Sequence, residues 1–168
     1  TLDGTLFPYT TLFRSNLVGN FFLTNDIDLS GIQNWIPIGA KSNADNAPEL
    51  FQGIFDGKGY AIKNLKIDSD NNFKGFFGRI DNALIKDVEF LDVNIRGGAT
   101  VGTLTGAIRA ESVIERVSVT GNIEGNTEIG GLAGRVATVN TKTGYNTIKD
   151  CYVNANITAH AVSNNSMA

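Results

Sequence analysis

A short glycine-rich segment, which we call the glycine line, recurs along this chain at a fixed interval. Residues 101–106 read VGTLTG and residues 129–134 read IGGLAG, so Gly102 recurs as Gly130 and Gly106 recurs as Gly134 at the same spacing. Residues 73–78, FKGFFG, hold the same place one step earlier. A fixed period of about 28 residues is typical of folds built from stacked repeats. The repeat therefore restricts the architecture before any single motif does.

A longer segment with the pattern of β-strands, which we call a phrase, follows each glycine line. The phrases occupy residues 85–95, 114–123 and 148–157, and each is a run of short strands broken by Gly, Asn or Asp, without a helical period. The third phrase begins later than one period after the second, and the excess lies in residues 137–146. We interpret that segment as a loop inserted into one repeat.

Strands this short predict a stacked architecture. A short strand buries little alone, but coils stacked on one another pair above and below and share one core of Ile, Val, Leu and Phe ladders. Gly would form corners where φ is positive or where two backbones approach closely, and Asn at corners would adopt the left-handed conformation. We therefore predict an all-β fold, a right-handed parallel β-helix (solenoid) with about 28 residues per coil and few or no helices.

Two other interpretations compete with this fold. A β-sandwich also has short strands and frequent turns, but nothing in it requires a glycine line at a constant interval. A nucleotide-binding loop would need a helix after each glycine line, and residues 109–112 are too short and too polar to form one.

The chain divides into a leader, one repeat domain and a tail. Residues 8–15, PYTTLFRS, resemble translated adapter or vector sequence, and an ordinary linker is the alternative for this leader. The chain lacks an initial Met, so we expect a fragment or a processed product. Residues 40–49 read as a surface loop. The predicted boundaries are a leader at 1–16, a single β-helical domain at 17–162 with lead-in coils at 17–72 and repeats at about 73–98, 99–126 and 127–158, and a frayed tail at 163–168.

Composition excludes several classes of function. Hydrophobic residues make up 42% of the 168, yet no apolar run approaches the ~20 residues of a membrane-spanning helix, so we predict no membrane insertion. The net charge is −3 and the 14 Lys and Arg are scattered, which argues against a nucleic-acid partner. A single cysteine excludes a disulfide framework within the chain.

Few residues have the chemistry of a catalytic or metal site. His160 is the only histidine and lies near the fraying end, so neither a His-based triad nor a zinc site is expected. Cys151 stands where the other repeats have Val88 and Val117, which predicts a stacked core residue. An ice-binding surface would need a regular array of threonines, and the positions of Thr103, Thr105, Thr120 and Thr127 are too irregular for one. We predict no catalytic residue, no metal ligand and no cofactor.

Acidic and aromatic residues of the lead-in segment leave two interpretations open. Asp26 and Asp28 share one strand face and Asp56 lies in a turn, so they could be the carboxylates of a polysaccharide-acting β-helix enzyme or a Ca²⁺ site, or they could bond backbone groups at corners. The aromatic residues Trp35, Tyr60 and Tyr152 could stack on sugar rings. For Trp35, a cap over the end of the core is the better interpretation.

The third repeat carries a family resemblance. Residues 129–134 followed by 148–157 resemble the GLUG motif repeat of bacterial surface proteins, and residues 25–29, 35–39 and 51–62 resemble the segment that leads into such repeats. The second repeat departs at Thr103 and the first at Phe76 and Phe77; the likeness spans residues 17–158. It implies a β-helical module of large secreted or wall-attached proteins, including adhesin-like proteins and the non-catalytic parts of IgA-cleaving metallopeptidases. It implies no catalytic residue, because the motif has none.

Two functions from different classes follow. The first is a non-catalytic structural or adhesive module of a bacterial extracellular or cell-surface protein, which binds glycans or host or matrix proteins through an outer β face. The alternative is a piece of a carbohydrate-active β-helix lyase or glycoside hydrolase. Sequence favours the first, because the acids do not recur between repeats. An uncapped end of the stack would also allow end-to-end self-association.

Overall fold

The structure is a computed structural model that describes residues 16–39, 49–137 and 144–160. Within these residues the chain forms β-strands and turns and no helix, so none of the described segments is a helix that could cross a membrane. The strands are β1 (Asn20–Phe22), β2 (Ile27–Asp28), β3 (Ile54–Asp56), β4 (Ala61–Lys63), β5 (Lys66–Asp68), β6 (Phe77–Ile80), β7 (Leu84–Arg96), β8 (Thr100–Gly102), β9 (Thr105–Ile108), β10 (Val113–Gly125), β11 (Glu128–Gly130), β12 (Ala133–Val136), β13 (Thr147–Lys149) and β14 (Tyr152–Ala159). The predicted all-β class is confirmed.

The strands pair in parallel within three sheets. A nine-stranded sheet is built around β7 and β10, a second sheet pairs β8 with β11, and a third has the order β6, β9, β12. Partners lie about one sequence repeat apart: Gly102 pairs with Gly130, and Thr105 lies between Phe77 and Ala133, one full period away on each side. The recurring glycine line is therefore in register with its own copies, as its period predicts.

The long strands follow the same register with two irregularities. Ile114 of β10 pairs with Ile85 of β7, one position beyond the period, and a β-bulge between Phe90 and Val93 brings the later pairs back to the period itself. The second irregularity is the pairing of β13 and β14 with β10, which is six positions beyond the period. Because β12 still pairs at the period, the six extra residues lie between Val136 and Thr147. This agrees with the predicted inserted loop, of which residues 138–143 lie outside the described part.

Alternate side chains of the strands form the core. We call a set of residues paired from strand to strand a row. One inward row is Phe90, Val119 and Val153, and another is Ile95, Ile123 and Ile157. Phenylalanines fill the core of the earlier repeats, with the Phe51 and Phe77 ring centroids 4.6 Å apart. These rows are the aliphatic and aromatic ladders that the sequence predicts.

The glycines of the repeated line are required by close backbone approach. A Cβ added to Gly102 would lie 2.6 Å from the Cα of Ala133, a distance that real Cβ atoms do not show. None of these line glycines has a positive φ; the described glycines that do are Gly39, Gly59 and Gly121. Glycine was expected at corners either for a positive φ or for close approach of two backbones. The glycines of the repeated line are there for close approach.

Left-handed corners are occupied mainly by charged residues instead of asparagine. Nine described non-glycine residues have a positive φ, and only Asn64 and Asn82 among them are asparagines. Asp87, Arg116 and Asp150 hold this conformation directly after the paired residues 86, 115 and 149. Asparagine therefore adopts the expected left-handed conformation at two of these nine positions, and six of the other seven are charged residues.

Other expectations need correction. The sequence alignment places Phe73 opposite Val101, but in the structure Lys74 pairs with Val101. The first glycine line therefore starts one residue later than the alignment predicts. Residues 35–39, which resemble part of a lead-in segment, belong to no named strand, and Ile38 makes an isolated bridge there. At the other end β14 runs to Ala159, and the His160 N–H donates to a backbone carbonyl 2.8 Å away. The pattern therefore persists to His160; the leader up to residue 15, the loop at 40–48 and the tail from 161 lie outside the described residues.

Candidate functional site

Asp26 joins two neighbouring repeats. Its Oδ1 accepts a hydrogen bond of 2.9 Å from the Ala61 N–H, and its Oδ2 lies 2.7 Å from the Lys63 Nζ. The hydrogen bond from Lys63, followed by that from Ala61, lowers the pKa of this carboxyl. A carboxylate held in this way stays ionised at neutral pH and stabilises the contact between β2 and β4.

Asp28 closes the turn that follows β2. Its Oδ1 accepts hydrogen bonds of 2.8 Å from the side-chain amide of Asn64 and from the Ser30 N–H. The bond from Asn64 is the main cause that lowers the pKa of Asp28. Asn64 is itself left-handed, with φ of 59°. Asp28 thus caps a turn and fixes a corner of the next repeat.

Asp56 is the buried acid of the three. Burial raises its pKa, but hydrogen bonds from the side chain and N–H of Lys58 and from Lys86 outweigh it, so the pKa is lowered overall. The Asp56 Oδ2 lies 2.9 Å from the Lys58 Nζ and 3.0 Å from the Lys86 Nζ. A glycosidase acid needs a raised pKa and a free proton to donate. Asp56 has the opposite environment.

Asp56 begins a line of ion pairs that crosses four repeats, which we call the charged edge. Lys86 bridges Asp56 and Asp87 at 3.0 and 3.3 Å, and Arg116 continues the line. Hydrogen bonds from Asp87 and then Glu115 raise the pKa of Arg116. Exposed pairs contribute little singly, and more as a network with fixed geometry. The members are Asp56, Lys86, Asp87, Arg116, Glu115 and Lys149.

An open depression of about 320 Å³ lies beside the charged edge. One outward row lines it, with Glu89 paired to Ser118 and Ser118 to Tyr152. Tyr152 is 63% exposed, so its ring offers a face to solvent. The charged residues at the same wall are Asp87, Arg116 and Asp150. An aromatic face with carboxylate, guanidinium and hydroxyl groups is the chemistry that binds sugar rings and their hydroxyls.

The structure separates the three aromatic candidates. Trp35 is 5% exposed, stacks on Phe76 with ring centroids 5.0 Å apart, and donates its Nε1–H to the Phe76 carbonyl at 3.0 Å. It is the core cap that sequence favoured, and it is not available to a sugar. Tyr60 is 37% exposed and directly precedes β4. Of the three, the structure places Tyr152 in the depression.

Sequence reasoning missed Glu89 and Ser118. Neither residue belongs to a motif, and each looks like an ordinary polar residue of a strand. The available signal was their position: the same outward place holds Glu, Ser and Tyr in three successive repeats, while the inward neighbours stay apolar. A position that varies between otherwise similar repeats is free of the packing requirement, and that freedom is what a binding surface needs.

The remaining candidates have structural surroundings. Cys151 lies opposite Val117, partly buried against the core, with its Sγ 3.3 Å from the Lys149 carbonyl oxygen. His160 Nε2 is 3.2 Å from Glu124 Oε2. Burial lowers the pKa of Lys74, which occupies the row of Val101. In the part of the chain that the structure describes, no group of three or more His, Cys, Asp and Glu could hold a metal ion.

Comparison with known proteins relates this all-β chain to secreted and cell-surface proteins. Residues 10–121 match the family described as the M26 IgA1-specific metallo-endopeptidase N-terminal region, and the chain belongs to this family. The match is to the N-terminal region and not to the metallo-catalytic part. The resemblance to IgA-cleaving metallopeptidases is thus confirmed at the level of family, while the GLUG repeat itself stays a prediction.

Curated relatives are much longer than this chain. Halomucin of Haloquadratum walsbyi is 31% identical over 127 residues, which cover 70% of the chain and 1% of that protein. A protein assigned as a Gly-rich membrane protein of Evansella cellulosilytica is 30% identical over 163 residues, covering 73% and 18%. The immunoglobulin A1 protease of Streptococcus sanguinis is 31% identical over 121 residues, covering 71% and 6%. The chain therefore spans less than a fifth of each of these relatives.

A solved structure shares the fold. The crystal structure of a Bacteroides ovatus protein considered an immunoglobulin A1 protease superposes with a TM-score of 0.67 at 24% sequence identity. The superposition covers 85% of this chain and 46% of that one. At this identity the likeness concerns the fold alone.

Proposed function

We propose that this chain is a non-catalytic structural or adhesive module of a larger secreted or cell-surface bacterial protein. The observation that carries the proposal is the bonding of its acids. Asp26, Asp28 and Asp56 each accept hydrogen bonds from neighbouring backbone or side chains and have lowered pKa values. The names of the relatives, a mucin, a membrane protein and an immunoglobulin protease, support an extracellular or surface location.

The proposed winding is a right-handed parallel β-helix. Parallel partners lie about one sequence repeat apart in all three sheets, and inward rows continue from strand to strand, which supports successive coils stacked on one another. The single domain would extend over residues 17–162, with lead-in coils at 17–72 and repeats at 73–98, 99–126 and 127–158. Each coil would contribute one strand set to each sheet.

The partner that the surface fits is a glycan, free or carried by a host or matrix protein. Tyr152 offers an exposed ring beside Glu89 and Ser118, at the 320 Å³ depression. Stacking on a ring and hydrogen bonding to hydroxyl groups would both be met there. We propose no nucleic-acid partner, no membrane insertion and no cofactor.

Binding and turnover should be measured together. The purified chain is applied to an array of immobilised glycans, and oligosaccharide release from soluble polysaccharides is followed in parallel. We expect binding that Tyr152→Ser abolishes and that Tyr145→Ser retains; Tyr145 is 86% exposed and lies outside the depression. Oligosaccharide release that disappears in Glu89→Gln would overturn the non-catalytic assignment in favour of a carbohydrate-active enzyme. Binding that is unchanged in Tyr152→Ser would remove the depression as the site.

A further inference from the structure

The inward rows of the nine-stranded sheet lose their cover at the last strands. Ile148, Val153 and Ile157 are 44%, 39% and 49% exposed. Each is the last described member of a row, and the preceding member of that row is fully buried. The pairs are Ile114 with Ile148, Val119 with Val153 and Ile123 with Ile157. Val136, at the end of the three-stranded sheet, is 55% exposed in the same way. We call Ile148, Val153, Ile157 and Val136 the open edge.

The opposite end of the fold has a closed core. The core residues of the first described strands and turns are buried, with no member more than 7% exposed: Phe21, Leu23, Ile27, Leu29 and Trp35. The two ends therefore differ in kind. One has a covered core, and the other presents core side chains to solvent.

The backbone of the last strands is also open on one side. β10 pairs with β7 on one side and with β13 and β14 on the other, whereas among the described strands β13 and β14 pair with β10 alone. In a parallel sheet, alternate residues direct their N–H and C=O groups to opposite neighbours. The outer side of β14 thus presents a parallel edge together with apolar side chains, a combination that favours strand addition.

We propose that the open edge is the docking surface for one further coil of the parent polypeptide, added in parallel register. The inference rests on the stacked-coil arrangement proposed above. It continues an interface that occurs repeatedly in this chain, where β7 packs on β3, β10 on β7, and β14 on β10. The solved neighbour, of which this chain covers 46%, has length for such additional coils.

A second copy of the chain fits this edge less well. Head-to-tail contact would bring the open edge against an end whose core residues are already covered. Contact between two open edges would pair their strands antiparallel, which breaks the parallel register found in every named strand pair of the described residues. The parallel coil is therefore the occupant that preserves all the rows.

The chemistry of the added coil follows from the edge. It should place aliphatic or aromatic residues opposite Ile148, Val153 and Ile157. Opposite Lys149 it should place an acid, because Lys149 pairs with Glu115 at 2.8 Å on the inner side and is 52% exposed on the other. The acid would extend the alternating charges of the charged edge by one step.

Hydrogen–deuterium exchange on an extended chain tests the proposal. The full chain is compared with a form that carries a second copy of residues 99–126 after Ala168, since this segment contains a complete repeat. We expect about half of the β14 amides to exchange at least about tenfold more slowly in the extended form. A control extension, with serine at the copies of Ile114, Val119 and Ile123, should leave β14 exchange unchanged.

A second measurement does not depend on the appended repeat. The unmodified chain should bind a hydrophobic dye, and Ile157→Asn should reduce that binding at least about twofold. Ile36→Asn is the matched control, because Ile36 is 65% exposed but lies away from the open edge. Dye binding unaffected by Ile157→Asn would mean that the edge is already covered, and would overturn the proposal.

Two further outcomes would also overturn it. The first is an extended chain whose β14 amides exchange as fast as before while those of β10 stay protected. The second is a concentration-dependent dimer of the unmodified chain, seen by light scattering, that Ile157→Asn dissociates, because a second copy would then be the occupant. Failure of the coil stack itself looks different: the β10 amides of the unmodified chain would exchange as fast as those of turns.

Discussion

Replacing Gly102 with alanine tests whether the repeated line is a place of close backbone approach. The added Cβ would lie 2.6 Å from the Cα of Ala133, 2.6 Å from the carbonyl oxygen of Thr105 and 2.7 Å from the carbonyl carbon of Ala133. These are backbone atoms, so no change of rotamer relieves the contact. Overpacking of this kind costs about 3 kcal/mol at the upper end of its range. Alanine also restricts the unfolded chain, which returns roughly 0.4–1 kcal/mol, so we expect a net loss of about 2 kcal/mol.

Urea unfolding and thermal unfolding both measure this loss. For a domain of this size, about 2 kcal/mol corresponds to a fall of roughly 4–8 °C in Tm. Gly31→Ala is the control, because a Cβ there meets nothing within 4 Å and Gly31 has no positive φ. We expect that control to gain about 0.5 kcal/mol. If both variants changed the free energy of unfolding equally, close approach would not be the reason for glycine in the line.

Four further substitutions test the core and one of the acids. Thr103→Val should raise the free energy of unfolding by about 1 kcal/mol, because the buried Oγ1 has no hydrogen-bond partner. Thr105→Val should lower it by about the same amount, because the one hydroxyl proton of Thr105 is donated to backbone carbonyl oxygen, with those of Ala107 and Gly78 at 3.1 and 3.3 Å; urea unfolding distinguishes the two variants. Folding lowers the pKa of Asp56, so its stabilisation is complete above the unfolded value of 3.8 and is lost as the pH falls through the folded pKa. Asp56→Asn should therefore be less stable at pH 7, with a deficit that shrinks below about pH 3.8, and a constant deficit across a pH series of unfolding curves would contradict the assignment. Cys151→Val should leave Tm within about 2 °C, because valine fills the same row in earlier repeats, and a larger fall would show that the thiol does more than pack.

The period of the sequence was enough to predict the rows. Residues that recur at a constant interval have the same environment if the repeats are equivalent. For this reason the pairing of Gly102 with Gly130 could be expected from the amino-acid sequence alone. The same reasoning located the six extra residues between Val136 and Thr147. In both cases long-range register followed from a pattern that the chain repeats.

Local detail was harder to predict where the repeats are irregular. The first glycine line lacks a counterpart of Thr103, so its sequence can be aligned with either Phe73 or Lys74 as the first residue. Only the strand pairing in the structure shows that the first residue is Lys74. The left-handed backbone of Arg116 has no signature in its own residue type, although Asp87 and Asp150 hold the same place and the same conformation in the neighbouring repeats. The candidate site shares this difficulty: Tyr152 could be flagged as an aromatic residue, but the row that brings Glu89 beside it exists only in the folded chain.

The same bonds that join the repeats also restrict the chemistry that the fold can perform. Glycoside hydrolysis by a carboxylate pair needs one acid that keeps its proton near neutral pH. Every carboxylate of the described chain whose pKa departs clearly from its ordinary value has a lowered pKa, and each accepts bonds from neighbouring groups: Asp26, Asp28, Asp56, Asp87, Glu115 and Glu128. Stability and acid catalysis would compete for these residues. Outward rows without that role, such as Glu89, Ser118 and Tyr152, are where side chains can change without loss of these bonds, and this is why we propose binding there.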